Sequence, residues 1–270
     1  MQTRRSCDPG MVMMEERQSL MNSLQDKVVI VTGGSSGIGR SAALQFATLG
    51  ARVLITGRHP ERLAEAVEDH PNIEAIVADV SRTEDAFRTI ASVIERWGRL
   101  DVLVNNAGAG AIMPLAETSA ERVRDIFAVN VLGPSLLAKE ALPHLQKVKG
   151  SIINISSTYG SKAGVALSHY GASKAALEYL TRAWALELAP AGIRVNAIAV
   201  GPTESGALTG MLGLSLEQAE LVKQHEREQI PLGHRGLPGD VAHWIVAFAS
   251  SESQWVTGQV LGVDGGLSLV

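Results

Sequence analysis

Hydrophobic and polar positions follow two alternating periods from Lys27 onward. Short runs of β-branched and apolar residues are separated by longer stretches in which apolar positions recur at helical spacing. Runs that are apolar on both faces, joined by amphipathic helices, are typical of parallel strands covered on both sides. The pattern predicts an α/β fold, a doubly wound seven-stranded parallel sheet flanked by helices. The predicted strands are residues 28–32, 52–56, 73–80, 101–105, 151–156, 193–200 and 259–263, and the main helices are 38–49, 83–97, 120–146, 165–188, 216–228 and 239–250.

Residues 1–26 show neither period. We expect a flexible amino-terminal tail over residues 1–26 and a single domain over residues 27–270. No linker rich in Pro, Gly or Ser divides the second range, so the sequence predicts one catalytic or binding unit.

Composition excludes several classes of protein. An apolar fraction of 46% is too high for a disordered chain, and a net charge of −4 without a basic run does not indicate a nucleic-acid partner or an anionic membrane. Cys7 is the only cysteine, so we expect no intrachain disulfide and no metal site built on cysteine pairs. No apolar run approaches the ~18 residues of a membrane helix, and no export signal is evident. We therefore expect a cytoplasmic protein without bound metal.

A glycine-rich turn, TGGSSGIG at residues 32–39, joins the first strand to the first helix. Such a turn lets the backbone approach a phosphate while the helix amino terminus offers free N–H groups. The spacing does not match G-x-G-x-x-G, and Arg40 replaces the lysine that a phosphate loop of an NTPase requires. The spacing T-G-x-x-x-G-x-G fits in full. A glycine turn that binds nothing remains an alternative.

Tyr170 and Lys174 lie four residues apart in a helical pattern and so share one face. A phenol has a pKa of about 10, which a nearby cation lowers by favouring the phenolate. Tyr170 is therefore a candidate general acid or base. Because this spacing is common, the pair alone does not establish a site.

Together these motifs resemble the short-chain dehydrogenase/reductase family, in its subgroup of ~250 residues with TGxxxGxG and YxxxK motifs. NNAG at 105–108, YGASK at 170–174 and VDGG at 263–266 also match, and the resemblance extends from Lys27 to Gly266. It implies a Rossmann-like fold and hydride transfer between a nicotinamide cofactor and a carbonyl or secondary alcohol.

The resemblance implies four catalytic residues. Ser157 would bind the substrate oxygen, with Ser156 as a weaker candidate, and Tyr170 would exchange a proton with that oxygen. Lys174 would bind the nicotinamide ribose and lower the pKa of Tyr170. Asn130 would hold a water molecule that leads a proton relay outward from Lys174.

The resemblance also implies a cofactor site. The family's Pro-Gly pair after the sixth strand is replaced by Val200-Gly201, and Ser205 stands at the usual threonine, which puts the path of this loop in doubt. The implied cofactor-binding residues are Gly33, Ser35, Ser36, Gly37, Ile38, Gly39, Arg58, Asp79, Val80, Asn106, Ala107, Gly108, Tyr170, Lys174, Gly201, Thr203 and Ser205.

Arg58 favours NADP(H) over NAD(H). Gly57 occupies the position at which relatives that prefer NAD carry an acid, and the guanidinium that follows can pair with a 2′-phosphate. Alternatively, Arg58 is solvated or pairs with Glu61 or Asp79.

The substrate itself is not predicted. Residues 204–231 match the variable substrate lid, and Leu208, Met211, Leu212, Leu214 and Leu216 indicate an apolar wall. Ala109, Gly110, Ala111, Thr158 and Tyr159 are expected to border the same cavity. Relatives are often homotetramers, and we expect a homotetramer or homodimer with a small-molecule carbonyl or alcohol substrate. The enoyl reductases of the family space their Tyr and Lys farther apart, so reduction of a carbon–carbon double bond is disfavoured. The alternative from another class is a catalytically idle NADP-binding sensor or scaffold.

Overall fold

A computed structural model describes residues 23–270. It contains one sheet of seven parallel strands in the order β3-β2-β1-β4-β5-β6-β7. The strands are β1 (Val28–Thr32), β2 (Arg52–Gly57), β3 (Ile73–Val77), β4 (Val102–Asn105), β5 (Ser151–Ser157), β6 (Arg194–Val200) and β7 (Val260–Val263). The predicted fold class is confirmed.

Helices follow most of the strands. They are α1 (Gly37–Thr48), α2 (Pro60–Val67), α3 (Thr83–Trp97), α4 (Ala120–Phe127), α5 (Gly133–Val148), α6 (Ser168–Leu188), α7 (Ala207–Gly210), α8 (Leu216–Gln229) and α9 (Pro238–Ala249). Short 3-10 helices occupy Leu115–Glu117, Thr158–Gly160, Ala189–Ala191, Ser251–Ser253 and Leu267–Leu269.

Strands β1, β4 and β5 are buried along their whole length because helices cover both faces of the sheet, whereas the edge strands β3 and β7 are only partly buried. Alternate side chains of β1 point in opposite directions, so that Val29 and Val31 pack with α1, α2 and α9, whereas Val28 and Ile30 pack with α3, α5 and α6. This arrangement explains why β1 is apolar at four consecutive positions, Val28–Val31, and does not alternate.

Two differences from the sequence prediction concern element boundaries. The helix predicted over residues 120–146 is divided into α4 and α5 by a π-helical turn at Ala128–Leu132. Leu24 is fully buried in the core, so the fold includes residues before Lys27. Residues 1–22, which hold Cys7, lie outside the described residues, and the flexible tail stays a prediction for them.

Between residues 23 and 270, no helix combines the length and the apolar character needed to cross a membrane.

Candidate active site

The strand order reverses between β1 and β4. From β1 the chain continues to β2 and β3 on one side of the sheet, and from β4 it continues to β5, β6 and β7 on the other side. In open parallel sheets, ligands bind at the carboxyl ends of the strands beside such a reversal. The glycine turn follows β1, Asn106–Gly108 follow β4 and Ser157 ends β5, so most predicted site residues converge at this edge.

The glycine turn is shaped for a phosphate group. Gly33 and Gly37 have φ angles of +64° and +52°, a region that residues with a side chain rarely occupy. A Cβ atom at Gly39 would lie 2.4 Å from the Gly33 carbonyl oxygen, so only glycine fits there. Ser36 precedes α1 without capping it through its side chain, which leaves N–H groups at the helix end for an anion. These features fit the pyrophosphate of a dinucleotide.

The turn is fixed by residues of β1 and of the segment after β4. The Thr32 hydroxyl accepts hydrogen bonds from the Asn106 and Ala107 backbone N–H groups, both at 2.9 Å. The Asn106 side-chain amide donates to the carbonyl oxygens of Thr32 at 2.8 Å and Gly33 at 3.2 Å. The side-chain N–H groups of Asn106 are therefore used within the protein, where they hold the glycine turn in position.

Ser157 and Tyr170 come together from β5 and α6. The Ser157 hydroxyl accepts from the Tyr159 backbone N–H at 3.3 Å and lies within hydrogen-bonding reach of the Tyr170 phenol. A Cβ atom at Gly171 would lie 2.6 Å from the Tyr159 carbonyl oxygen, so the backbone of α6 packs directly against the backbone of the turn after β5. The two hydroxyl groups are therefore neighbours, and a carbonyl oxygen beside them could accept from both.

The pKa of Tyr170 differs from the sequence expectation. Burial raises this pKa, and the hydrogen bond with Ser157 only partly offsets that effect. Lys174 does not contribute to lowering it, because its Nζ lies 5.8 Å from the centre of the Tyr170 ring and donates to the Ile155 carbonyl oxygen at 2.8 Å. The structure therefore does not show the lowering of the Tyr170 pKa by Lys174 that the sequence predicts.

Asn130 lies at the centre of the π-helical turn and is fully buried. Its side chain binds both backbone groups of Ala109, accepting from N–H and donating to C=O at 2.8 Å each, and it donates to the Ser173 hydroxyl at 2.9 Å. Both of its amide N–H groups are used, so a relay water could bind this side chain only by donating to Oδ1. π-Turns are frequent at functional sites.

The end of β2 carries the residues that concern cofactor preference. A Cβ atom at Gly57 would lie 3.5 Å from the Ser35 hydroxyl oxygen, which is ordinary contact distance. Arg58 is exposed and forms no ion pair among residues 23–270, although its charge acts on Asp79. Burial raises the pKa of Asp79, but hydrogen bonds from Ser81 and the charge of Arg58 outweigh it, so the net pKa is lowered. The predicted alternative of an Arg58–Glu61 ion pair is not observed.

The loop after β6 closes the site from the other side. A Cβ atom at Gly37 would lie 3.2 Å from the Ser205 Cβ, which brings this loop against the glycine turn. A cavity of about 520 Å³ opens between them, lined among others by Arg40, Ser41 and Gly206. The replacement of the family's Pro-Gly pair has therefore not moved Ser205 away from the turn.

The predicted lid lies over Tyr170. A Cβ atom at Gly110 would lie 3.1 Å from the Tyr170 ring and 3.3 Å from both the Met211 and Leu212 side chains. Leu208 is buried, whereas Leu216 is 80% exposed and does not line this contact. Of the predicted apolar residues, Met211 and Leu212 therefore lie beside Tyr170.

Sequence reasoning missed two buried charged groups near the site. The Arg235 side chain, on the segment before α9, is 3% exposed. It forms ion pairs with Glu204, at 3.1 Å, and with Glu226, and it donates a hydrogen bond to the Thr203 carbonyl oxygen at 2.6 Å. It ties the lid helix α8 to the loop after β6. Glu178 of α6 is 6% exposed. Its position, four residues after Lys174 on the same face, was the signal available in the sequence.

Comparisons with known proteins agree on one family. The profile of a family described as "Enoyl-(Acyl carrier protein) reductase" matches residues 33–268. A 3-oxoacyl-[acyl-carrier-protein] reductase of Thermotoga maritima is 36% identical over 90% of this chain and 98% of its own length. An L-fucose dehydrogenase of Oryctolagus cuniculus is 37% identical over 90% of this chain and 85% of its own length.

Two solved structures share the fold over almost the whole chain. A short-chain dehydrogenase/reductase of unknown function from Caenorhabditis elegans, solved with cofactor, has a TM-score of 0.86 at 34% identity and covers 92% of this chain and 97% of its own. A 3-ketoacyl-(acyl-carrier-protein) reductase from Brucella melitensis, complexed with NADH, has a TM-score of 0.85 at 31% identity and covers 91% of this chain and all of its own.

Proposed function

Because the chain belongs to the short-chain dehydrogenase/reductase family, and so is an oxidoreductase, we propose that it transfers hydride between NADP(H) and a carbonyl or secondary alcohol, with Tyr170 as general acid or base. One observation carries the proposal: the Ser157 hydroxyl, the Tyr170 phenol and the buried Lys174 side chain lie at the strand edge that holds the glycine turn.

Each residue has a role that follows from its position. In the direction of reduction, Ser157 and Tyr170 donate hydrogen bonds to the carbonyl oxygen, and Tyr170 then gives up its proton to that oxygen. A nicotinamide cofactor held at the glycine turn would supply the hydride for the carbonyl carbon. Lys174 would hold the ribose hydroxyls, and its positive charge would stabilise the phenolate that Tyr170 leaves behind.

The raised pKa of Tyr170 suits a proton donor that waits for its substrate. A phenol that stays protonated at neutral pH is ready to donate in reduction. The cation needed to stabilise the phenolate lies within one helical turn, at Lys174. Turning the Lys174 ammonium from Ile155 toward the ribose would bring that charge into use.

We also propose that NADP(H) is preferred over NAD(H). Arg58 is exposed and without a carboxylate partner among the described residues, Gly57 leaves room beside it, and Ser35 offers a hydroxyl. A 2′-phosphate would find a guanidinium and a hydroxyl donor there. We expect Arg58→Ala to raise KM for NADPH about tenfold and KM for NADH little, a loss typical of one charge-assisted hydrogen bond. An equal effect on both cofactors would refute the assignment.

Turnover is tested by following the absorbance of reduced nicotinamide with NADPH or NADH and a panel of ketones, 3-oxoacyl thioesters, sugars and steroids. Tyr170→Phe, which keeps the ring and removes the hydroxyl, should abolish oxidation of the cofactor by any active substrate. Tyr179→Phe, an exposed position on the same helix, is the matched control and should keep full activity. A Tyr170→Phe variant with unchanged rate would overturn the mechanism.

The panel also separates the alternatives. The description of the matched family favours including a 2-enoyl thioester, although the four-residue spacing from Tyr170 to Lys174 fits carbonyl reduction better. Tight binding of NADPH without oxidation by any compound would instead support the idle sensor or scaffold.

We further propose a homotetramer or homodimer in the cytoplasm. Exposed apolar side chains on α6 and near the carboxyl terminus support self-association, including Leu186, Trp255 and Leu269, which are 81%, 99% and 86% exposed. Light scattering during gel filtration tests the assembly, and a monomer at micromolar concentration would contradict it.

A further inference from the structure

Glu178 is a buried acid that the mechanism above does not use. Its side chain lies in the middle of α6, and the residue is 6% exposed. Carboxylates are almost never this buried unless a partner compensates the lost hydration. The Ser156 hydroxyl donates to Glu178 Oε1 at 2.8 Å, and this neutral donor leaves the charge of the carboxylate uncompensated.

A cation lies one helical turn away. Tyr170, Lys174 and Glu178 are spaced four residues apart on α6, so they share one face of the helix. Lys174 is only 4% exposed, and its Nζ donates to the Ile155 carbonyl oxygen and not to Glu178. The two charged groups therefore interact through space in a poorly hydrated region, where attraction is stronger than at a surface.

The neighbouring turn leaves a space of the right size for the carboxylate. A Cβ atom at Gly160, in the 3-10 helix after Ser157, would lie 2.5 Å from Glu178 Oε1. A larger residue at position 160 would push the acid away from Ser156. The carboxylate is thus enclosed by β5, the turn that follows it and α6.

We propose that Glu178 is a positioning residue whose buried negative charge keeps Lys174 in its ammonium form beside Tyr170. The proposal rests on the proposed function, in which Lys174 acts as a cation toward the ribose and toward the Tyr170 phenolate. Without a counter-charge, burial alone would favour neutral lysine at the pH where the reaction runs.

The other groups around Lys174 cannot supply this charge. The segment after β4 and the π-helical turn present Gly108 and the Asn130 amide, and β5 presents the Ile155 carbonyl oxygen. Among the described residues, Tyr170 and Glu178 are the titratable groups that face Lys174. Burial lowers the pKa of Lys174 to about 8, and the charge of Glu178 acts against this decrease.

The test titrates Lys174 directly in the protein without cofactor. Lysine labelled with carbon-13 at Cε is followed by NMR between pH 6 and pH 10, and the signal that Lys174→Met removes is assigned to Lys174. We expect a wild-type midpoint near pH 8. Glu178→Gln, which keeps the shape and the acceptor for Ser156, should lower the midpoint by about one pH unit. The ratio of ammonium to neutral lysine at a given pH would then fall about tenfold. Glu187→Gln, at an exposed position of the same helix, should leave it unchanged.

An unchanged midpoint in Glu178→Gln would overturn the proposal. If that variant does not fold, carbon-13 labelling of the glutamate carboxyl groups in the wild-type protein decides: ionised Glu178 at pH 7 supports the proposal, and neutral Glu178 refutes it. With an active substrate, the alkaline limb of kcat/KM should move to lower pH in Glu178→Gln, whereas a purely structural role would lower activity equally at every pH. Failure to oxidise NADPH with any substrate would refute the proposed function but leave the lysine titration valid.

Discussion

Replacing Asn130 with alanine would remove three hydrogen bonds, two to the backbone of Ala109 and one to Ser173. Leaving a buried polar group without its partner costs about 1–3 kcal/mol, while a group that water can reach loses less. Ala109 is half-buried, and the Ser173 hydroxyl keeps its bond to the Tyr170 carbonyl oxygen at 2.7 Å. We therefore expect Asn130→Ala to lower the free energy of unfolding by about 3 kcal/mol, near the lower end of the summed range.

Urea unfolding followed by tryptophan fluorescence measures this loss, and hydrogen exchange at the Ala109 amide locates it. The amide should exchange faster in Asn130→Ala, because it loses its acceptor. Asn72→Ala, at an exposed asparagine, is the control and should change stability by no more than about 0.5 kcal/mol. If Asn130→Ala were as stable as this control, the side chain would not hold the segment after β4 as its contacts indicate.

Three further changes test other parts of the site. Gly39→Ala should abolish cofactor binding in a fluorescence titration, because its Cβ would lie 2.4 Å from the Gly33 carbonyl oxygen; affinity near that of the wild type would contradict the tight turn. Burial raises the pKa of Asp264, but hydrogen bonds from Ser268, Gly266 and Thr158 outweigh it, so the net pKa is lowered. This contribution to stability is present above the ordinary carboxyl pKa and lost as pH falls through the lowered value. The Tm of wild type should therefore exceed that of Asp264→Asn at pH 7, and the difference should shrink as pH falls below the ordinary carboxyl pKa; a constant difference would refute the linkage. Arg235→Met should speed tryptic cleavage within α8 by severing its ion pairs, and unchanged cleavage would show that α8 does not depend on them.

The strands and the shared face of Tyr170 and Lys174 could be predicted because both depend on local periodicity. Every residue of β1 is buried, as the apolar run Val28–Val31 indicates. Four-residue spacing fixes a helix face regardless of what packs around it.

The π-helical turn and the clamp at Arg235 could not be predicted in this way. Asn130 binds Ala109, which lies 21 residues earlier, and Arg235 binds the carbonyl oxygen of Thr203, 32 residues earlier. Such contacts exist only once the chain has folded. The direction of the Tyr170 pKa was predicted wrongly for the same reason, since burial depends on the packing of the loop and lid around the phenol.

The hydrogen bonds between Thr32 and Asn106 have a consequence for the thermodynamics of ligand binding. They join the glycine turn to the end of β4, so the loop loses its conformational entropy when the sheet forms and not when a dinucleotide arrives. Association should then show a small entropy penalty and little change in backbone order at residues 33–39. A glycine turn transplanted into another sheet without both partners would have to be ordered by its ligand, at the expense of affinity.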